Sequence, residues 1–171
     1  GRRVVQEVYL FVPRKNGKST FAAGLAQLML VGDAEPGAQI VSAAADKDQA
    51  RIVFKEAKRM REYSRPLSKV TEAWKDSITI PRRNAAYWVL SADAEKQHGL
   101  NPNVIIFDEL HTQPTRDLYD VLRTGQGSRL QPWSFYITTA GFSRSAVGYE
   151  VHASAQEHLL GLHENPACLP V

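Results

Sequence analysis

The chain has 171 residues, a net charge of +3 and one cysteine, and 43% of its residues are hydrophobic. This length and composition indicate one globular domain with a buried core. The lone cysteine excludes both an internal disulfide framework and a multi-cysteine zinc site. No apolar run reaches the roughly 18 residues of a membrane span, so we expect no membrane partner. The chain does not open with the pattern of a secretory signal, so we expect the protein to function in a reducing cytosol. The mildly basic balance is compatible with nucleic acid but does not require it.

Apolar, strand-like runs alternate with amphipathic, helix-like runs along the whole chain. The alternation is typical of an α/β fold in which helices cover both faces of a mostly parallel sheet. Strands are predicted at about residues 8–12, 39–44, 77–80, 86–90, 104–107 and 135–139. Helices are predicted from the first loop to about residue 31, and at about 47–63, 116–124 and 146–160. We expect one domain over residues 1–171, with a linker-like tail from about residue 161.

Local signals refine two of these elements. Asp46 precedes the helix at 47–63 and suits its N-cap. That helix is predicted to bury an apolar face and to present a solvated basic rim. The strands at 77–80 and 86–90 flank a Pro-Arg-Arg-Asn turn, so we expect them to pair as a hairpin.

The loop between the first predicted strand and helix contains Gly17-Lys18-Ser19. A strand, a short loop ending in Gly-Lys-Ser and a helix form the context of a phosphate-binding P-loop. Backbone N–H groups and the positive end of the helix dipole would face the phosphates. Lys18 is predicted to reach the β- and γ-phosphates, and Ser19 to ligate Mg²⁺. The usual first glycine of the motif would stand where the chain has Val12, and a basic surface turn is the alternative.

A second candidate motif is the strand at 104–107, which is followed by Asp108 and Glu109. A buried parallel strand ending in Asp-Glu has the form of a Walker B element. Asp108 is predicted to hold Mg²⁺, and Glu109 to orient and deprotonate an attacking water. Ligands bind beyond the carboxyl ends of the strands in open α/β sheets, so one site can contain both motifs. A strand that simply ends in an acidic turn is the alternative.

The strand at 135–139 ends in Thr138-Thr139-Ala140-Gly141. Hydroxyl groups at this position can sense a γ-phosphate and transmit its loss. An ordinary strand end and turn is the alternative interpretation.

Six segments, taken in order, carry a resemblance that no single motif could support. They are residues 13–20, 42–51, 91–94 with 99–102, 108–111, 118–125 and 138–141, and they span roughly residues 9–142. In this order they closely resemble the ATPase domain of the large terminase subunit of tailed bacteriophages. The resemblance also accounts for Val12, because the Walker A loops of this family often lack the first glycine.

The resemblance implies a RecA-like P-loop ATPase of the additional-strand class, with ATP and Mg²⁺ as cofactors. It implies Mg²⁺-dependent ATP hydrolysis that powers the translocation of double-stranded viral DNA into a prohead. The implied nucleotide contacts are Arg14, Lys15, Asn16, Gly17, Lys18, Ser19 and Thr20. Arg14 would contact the γ-phosphate and act in catalysis with Lys18 and Glu109, while Ser19 and Asp108 would hold the metal. Thr138, Thr139 and Gly141 would couple hydrolysis to movement.

The resemblance also implies partners and a location. The partners are double-stranded DNA, a homo-oligomeric ring on the portal and a small terminase subunit. The implied location is the cytoplasm of an infected bacterial host, and the mature virion would not contain the protein. The family's C-terminal nuclease domain is absent from these 171 residues, so we expect no DNA cleavage by this chain.

One feature departs from the family pattern. Some relatives carry an arginine shortly before Walker B that acts on a neighbouring subunit's ATP, whereas residues 95–99 contain none. Lys96, Arg123 and Arg129 are the candidates for that role.

Two other functions stay open on the sequence. One is a helicase-like nucleic-acid motor with the same nucleotide chemistry, and the other is a nucleotide-binding assembly module without turnover. Glu109 argues against the second.

Overall fold

A computed structural model describes residues 3–33, 35–44, 46–91, 99–109, 116–139 and 147–171. Eight strands form one sheet within these residues. The strands are β1 (Glu7–Phe11), β2 (Gln39–Ala44), β3 (Glu72–Ala73), β4 (Ser77–Ile80), β5 (Ala85–Ser91), β6 (Val104–Asp108), β7 (Trp133–Thr138) and β8 (Cys168–Pro170). The helices are α1 (Lys18–Gly32), α2 (Lys47–Tyr63), α3 (Arg65–Val70), α4 (Asp117–Gly125) and α5 (Val147–Leu159).

The strand order is β3-β4-β5-β2-β6-β7-β1-β8. All neighbours from β5 to β8 pair in parallel, whereas β3–β4 and β4–β5 pair antiparallel. The predicted α/β class with a mostly parallel sheet is therefore confirmed. The predicted hairpin is confirmed as well, since β4 and β5 pair around a 3₁₀ turn at Pro81–Arg83.

Each face of the sheet is covered by helices. Along β6, Ile106 belongs to the apolar cluster that includes residues of α1 and α2, while Ile105 and Phe107 belong to the cluster that includes residues of α4 and α5. This alternation follows from the two-residue period of a strand, and burial on both faces explains why β6 is apolar until its last residue. The sheet thus holds the ends of β6 and its neighbours in fixed positions.

Helix α2 follows the sequence prediction residue for residue. Its N-cap is Asp46, whose carboxylate accepts hydrogen bonds from the backbone N–H groups of Asp48 and Gln49. Its apolar side is packed in the core, with Val53 and Ala57 fully buried. Gln27 of α1 donates to the carbonyl of Ala57 at 2.9 Å, so the two helices are also joined by a buried hydrogen bond.

The C-terminal tail differs from the linker-like segment that its composition predicts. Its residues Cys168–Pro170 form β8 and pair with β1. The backbone N–H groups of Gln6 and Glu7 donate to Ala167 O at 2.7 and 2.8 Å, and Val171 N donates to Tyr9 O at 2.8 Å. The reason is that β1 would otherwise leave a row of unpaired backbone groups, and an extended tail satisfies them. Proline lacks an N–H group, which an outermost strand tolerates.

Helix α3 and strand β3 were also missed from the sequence. Helix α3 is only six residues long, and its N-cap is Ser64. Strand β3 has two residues. Elements this short give too few residues for a hydrophobic period to be recognised.

Candidate nucleotide-binding site

The candidate motifs meet at the carboxyl edge of the parallel sheet. The Gly-Lys-Ser loop follows β1, the Asp-Glu pair lies at the end of β6, and Thr138 ends β7. Strand β7 pairs with both β1 and β6, so these three ends are neighbours. Parallel strands present their carboxyl ends at one edge, and the sheet order alone therefore assembles the site.

The loop reaches its shape with left-handed backbone at Lys15 (φ 67°) and Gly17 (φ 69°). Gly17 is the N-cap of α1 and has no side chain to bond the first backbone N–H groups. Alternating backbone conformations of this kind form concave anion sites, and the helix dipole adds to the attraction. Val12 has no positive φ, and its N–H donates to Thr138 O at 3.2 Å, which extends the pairing of β1 with β7. A glycine is therefore not required at residue 12.

Lys18 lies on the first turn of α1 and is only 8% exposed. Its Nζ donates to Pro13 O at 3.2 Å and lies 3.7 Å from Glu109 Oε1. The ammonium group is thus held over the loop, between the loop's own carbonyl and the carboxylate that follows β6.

Ser19 and Asp108 are in direct contact although 89 residues separate them. Ser19 Oγ donates to Asp108 Oδ2 at 3.3 Å, and the other carboxylate oxygen, Oδ1, is buried with no hydrogen-bond partner among the described residues. Burial, followed by the nearby charge of Glu109, raises the pKa of Asp108 from 3.8 to about 6, although Ser19 and Lys18 act in the opposite direction. A buried carboxylate oxygen with no donor, next to a hydroxyl oxygen, is a donor set that fits Mg²⁺, which prefers oxygen ligands.

Three contacts among the described residues orient Glu109. Its backbone has a left-handed conformation (φ 55°), which is uncommon outside glycine, and its N–H donates to Ile137 O at 2.8 Å. Thr139 Oγ1 donates to Glu109 Oε2 at 3.1 Å, while Lys18 approaches the other carboxylate oxygen. The strained backbone turns this side chain away from the strand direction and towards the loop.

Of the three predicted coupling residues, two are described. Thr138 and Thr139 are both buried, and Thr139 contacts Glu109. Gly141 lies outside the described residues. The hydroxyl at the end of β7 is thus bonded directly to the carboxylate predicted as the base.

A cavity of about 570 Å³ opens above these groups. Its lining residues are Arg14, Lys15, Gly17, Lys18, Ser19, Thr20, Gln49 and Glu109. Asn16 is exposed in the same loop but does not line this cavity. Sequence reasoning missed Gln49, which lies on the first turn of α2. It could have been considered from the sequence, because it belongs to one of the six resembling segments and lies at the start of the helix that follows the predicted strand at 39–44.

Two candidates for the trans-acting cation lie at the opposite, amino edge of the sheet. Arg123 pairs with Glu7 and donates to Ser134 Oγ at 2.8 Å, and Arg129 pairs with Glu35 at 2.8 Å. Both guanidinium groups are thus engaged in contacts within the chain and are not free surface cations. Lys96 lies outside the described residues.

No helix among the described residues has both the length and the apolar character needed to cross a bilayer. Groups of three or more metal-ligating His, Cys, Asp or Glu side chains are also lacking in this part of the chain.

The family sequence profile "Terminase large subunit, ATPase domain" matches residues 1–157. The terminase large subunit of Enterobacteria phage HK97 is 37% identical over 136 residues, which are 76% of this chain and 27% of that protein. The crystal structure of the HK97 large terminase superposes with a TM-score of 0.85 at 27% identity, covering 97% of this chain and 35% of that one.

The ATPase domain of the Thermus phage P74-26 large terminase shares the fold, with a TM-score of 0.66 at 20% identity over 83% of this chain and 63% of that one. The RecA-like fold and the resemblance inferred from the sequence are therefore confirmed. The chain spans about a quarter of the length of the curated relatives it matches. It belongs to the family of terminase large-subunit ATPase domains.

Proposed function

We propose that this chain is the motor domain of a viral DNA-packaging terminase and that it hydrolyses ATP with Mg²⁺ to drive double-stranded DNA into a prohead. The observation that carries the proposal is the contact of Ser19 with Asp108 beside the Lys18–Glu109 ion pair. Four side chains from two distant motifs meet in one cluster, and three of them, Lys18, Ser19 and Glu109, line the cavity. They supply the chemical groups that phosphoryl transfer to water needs.

Each side chain has a distinct role in this reaction. The backbone of the loop and Lys18 bind the phosphates, and Glu109 takes a proton from the attacking water. The water oxygen bonds to the γ-phosphorus while the bond to the bridging β-phosphate oxygen breaks, so ATP and water give ADP and inorganic phosphate. Arg14 lines the cavity and is exposed, which leaves its guanidinium available to stabilise charge on the γ-phosphoryl group.

The remaining loop residues form the cradle around the phosphates. Lys15, Gly17 and Thr20 line the cavity, and Asn16 lies exposed in the same loop; all four are assigned to nucleotide binding. The metal is assigned to Ser19 and Asp108, whose oxygen atoms already lie together. Bound there, Mg²⁺ would neutralise charge that develops on the phosphate oxygens.

Coupling to movement is assigned to Thr138, Thr139 and Gly141. The support is the hydrogen bond from Thr139 to Glu109, because a shift at the end of β7 would change the orientation of the base. Conversely, loss of the γ-phosphate would be transmitted to β7 through the same bond.

The proposed partners are double-stranded DNA, identical subunits in a ring on the portal and a small terminase subunit, in the cytoplasm of the infected host and not in the mature virion. One local observation supports a polyanionic partner. Residues 47–70 carry eight Lys or Arg and three Asp or Glu, so α2 and α3 have a net charge of +5 in a chain whose total is +3. Clustered positive charge is the electrostatic basis of binding to DNA phosphates.

The direct test is steady-state ATP hydrolysis with Mg²⁺, comparing this chain with Glu109→Ala over a range of protein concentrations. We expect turnover that falls by about 10³-fold in the variant, the scale of a lost general base. A rate per subunit that rises with concentration would indicate activation by a neighbouring subunit.

Two outcomes would favour other functions. ATP binding without turnover at any concentration would favour a nucleotide-binding assembly module. Turnover stimulated by single-stranded nucleic acid and not by duplex would favour a helicase-like motor. Absence of ATP binding would overturn the P-loop interpretation.

A further inference from the structure

Gln49 lines the nucleotide cavity but belongs to neither the loop nor the Asp-Glu element. Among the described residues it is the one lining side chain with that property. It lies on the first turn of α2, which follows β2, and β2 is the neighbour of β6. Gln49 therefore approaches the cavity from beyond Glu109, on the opposite side from the loop that follows β1.

The backbone that carries Gln49 is fixed on two sides. Asp46 Oδ1 accepts from the N–H of Gln49 at 2.9 Å, which locks the first turn of the helix. The next residue, Ala50, is 1% exposed, and further along the helix Ala57 accepts a buried hydrogen bond from α1. A side chain on a helix held in this way can be positioned with little loss of backbone entropy.

The chemistry of a carboxamide suits this place. Its NH₂ group donates and its oxygen accepts, so it can bond a phosphoryl oxygen and a water at once. A lysine here would add another cation to Arg14 and Lys18, and a carboxylate would repel Glu109. A neutral group with both functions can orient the water without competing for the proton.

We propose that Gln49 contacts the γ-phosphoryl end of bound ATP and positions the attacking water for Glu109. The proposal rests on the proposed ATPase function of the same site. Gln49 belongs to neither sequence motif, so the proposal gives α2 a role in the site. It also links this helix, which carries the greatest positive charge, to the reacting end of the nucleotide.

The test measures two affinities and two kinetic constants for the wild type and Gln49→Ala. The probe is a fluorescent ADP with Mg²⁺, with and without aluminium fluoride, which completes a mimic of the transition state. We expect the affinity for ADP to change by less than about twofold, and the affinity for the fluoride complex to fall about tenfold, the value of one lost hydrogen bond. With ATP, kcat should likewise fall about tenfold while KM changes by less than about threefold, because the contact is made mainly in the transition state.

Asp48→Ala is the matched control. Asp48 lies on the same turn with a side chain that is 94% exposed. Among the described residues its carboxylate forms an ion pair only with Arg51. It should leave both affinities, both kinetic constants and the melting temperature unchanged.

Three outcomes separate this inference from the function on which it rests. Equal affinity of Gln49→Ala and the wild type for the fluoride complex would overturn the inference and leave the ATPase intact. An equal loss for ADP and for the fluoride complex would also overturn it, since it would indicate a general binding or structural role. If the wild type bound neither form, the proposed function itself would fail.

Discussion

The charged groups at the two edges of the parallel sheet differ in how fully they are paired. At the amino edge, Arg129 reaches Glu35, the carbonyl of Asn101 at 2.7 Å and Gly37 O at 3.2 Å. At the carboxyl edge, Asp108 keeps a buried oxygen without a partner among the described residues, and its pKa is raised to about 6. The described part of the amino edge pairs its charges within the chain, whereas that of the carboxyl edge leaves one carboxylate oxygen unpaired.

The contrast teaches where this fold gains stability and where it keeps strain. Buried ion pairs with several hydrogen bonds hold loops to the sheet, and removing one partner leaves an uncompensated charge. The carboxyl edge instead combines a carboxylate oxygen that has no partner among the described residues with a glutamate in left-handed backbone conformation. Strain and unsatisfied groups that persist in a folded protein cluster at functional sites. Removing one charged group from each edge should therefore have opposite consequences.

The largest effect is expected at the amino edge, from Arg129→Met. The variant removes a guanidinium whose side chain is 11% exposed and leaves Glu35 half-buried without its partner. We expect the free energy of unfolding to fall by about 3 kcal/mol. Urea denaturation measures it, and the affinity for ATP should stay within a factor of two at a temperature where the variant is folded. A variant with normal stability and impaired hydrolysis would instead support a trans-acting role for Arg129.

The companion change at the carboxyl edge is Lys18→Met. It removes a cation of similar burial from the loop, so the affinity for ATP should fall about 100-fold, the range for losing one partner of a desolvated charge pair. Equilibrium titration with a fluorescent ATP analogue measures the loss. The free energy of unfolding should fall less than in Arg129→Met, because Lys18 makes one hydrogen bond among the described residues, to Pro13, and its 3.7 Å ion pair with Glu109 is too long for a hydrogen bond. A large loss of stability would contradict the proposed division between the edges.

An effect of comparable size but opposite sign is expected from Asp108→Asn. In the folded chain the pKa of Asp108 is about 6 against 3.8 for an ordinary carboxyl, so the folded state binds its proton more tightly. Stability from this group is present below pH 4 and is lost as the pH rises through 6. The variant should therefore be more stable than the wild type above pH 6, by about 3 kcal/mol, and about equally stable below pH 4.

Thermal denaturation in buffers without divalent cations, from pH 4 to pH 8, measures this difference. The same variant should lose ATP hydrolysis, since the group that costs stability is the proposed metal ligand. If the wild type instead gained stability relative to Asp108→Asn as the pH rises, the ionised carboxylate of Asp108 would not destabilise the folded state.

The smallest effect is expected from Thr139→Val, which keeps the shape of the side chain and removes the hydrogen bond to Glu109. We expect kcat to fall about tenfold, equivalent to one hydrogen bond, with KM for ATP unchanged. In a packaging assay with the full-length subunit, DNA movement per ATP should fall as well. Thr124→Val is a control, because Thr124 bonds only carbonyls of its own helix, at 2.7 and 3.1 Å.

Much of the fold was predictable because the signals are local. Asp46 and the apolar residues of α2 define a helix within about five turns, and the hydrophobic period needs no distant information. The same holds for the buried strand that ends in Asp108 and Glu109. The tail was not predictable, since the extended conformation of β8 is stabilised only by the open edge of β1, about 160 residues earlier.

The candidate site shows the same division. Gly17, Lys18 and Ser19 were recognisable as a phosphate loop, because neighbouring backbone groups and one helix start create the anion site. Gln49 carried no such signal, since a lone glutamine at a helix start has many possible environments. The contacts of Arg129 were not predictable either, because its partners come from two other segments of the chain.

By itself, the sequence determined the α/β class, the order of the motifs and the types of side chain that could handle phosphate and metal. The tertiary structure alone decided that Ser19 meets Asp108, that Thr139 holds Glu109 and that Gln49 enters the same cavity. The physical reason is that motifs depend on backbone chemistry within a few residues, whereas these contacts depend on strand order. Placing β7 between β1 and β6, with β2 beyond, brings the ends of β1, β6 and β2 to one cavity and the end of β7 into contact with Glu109.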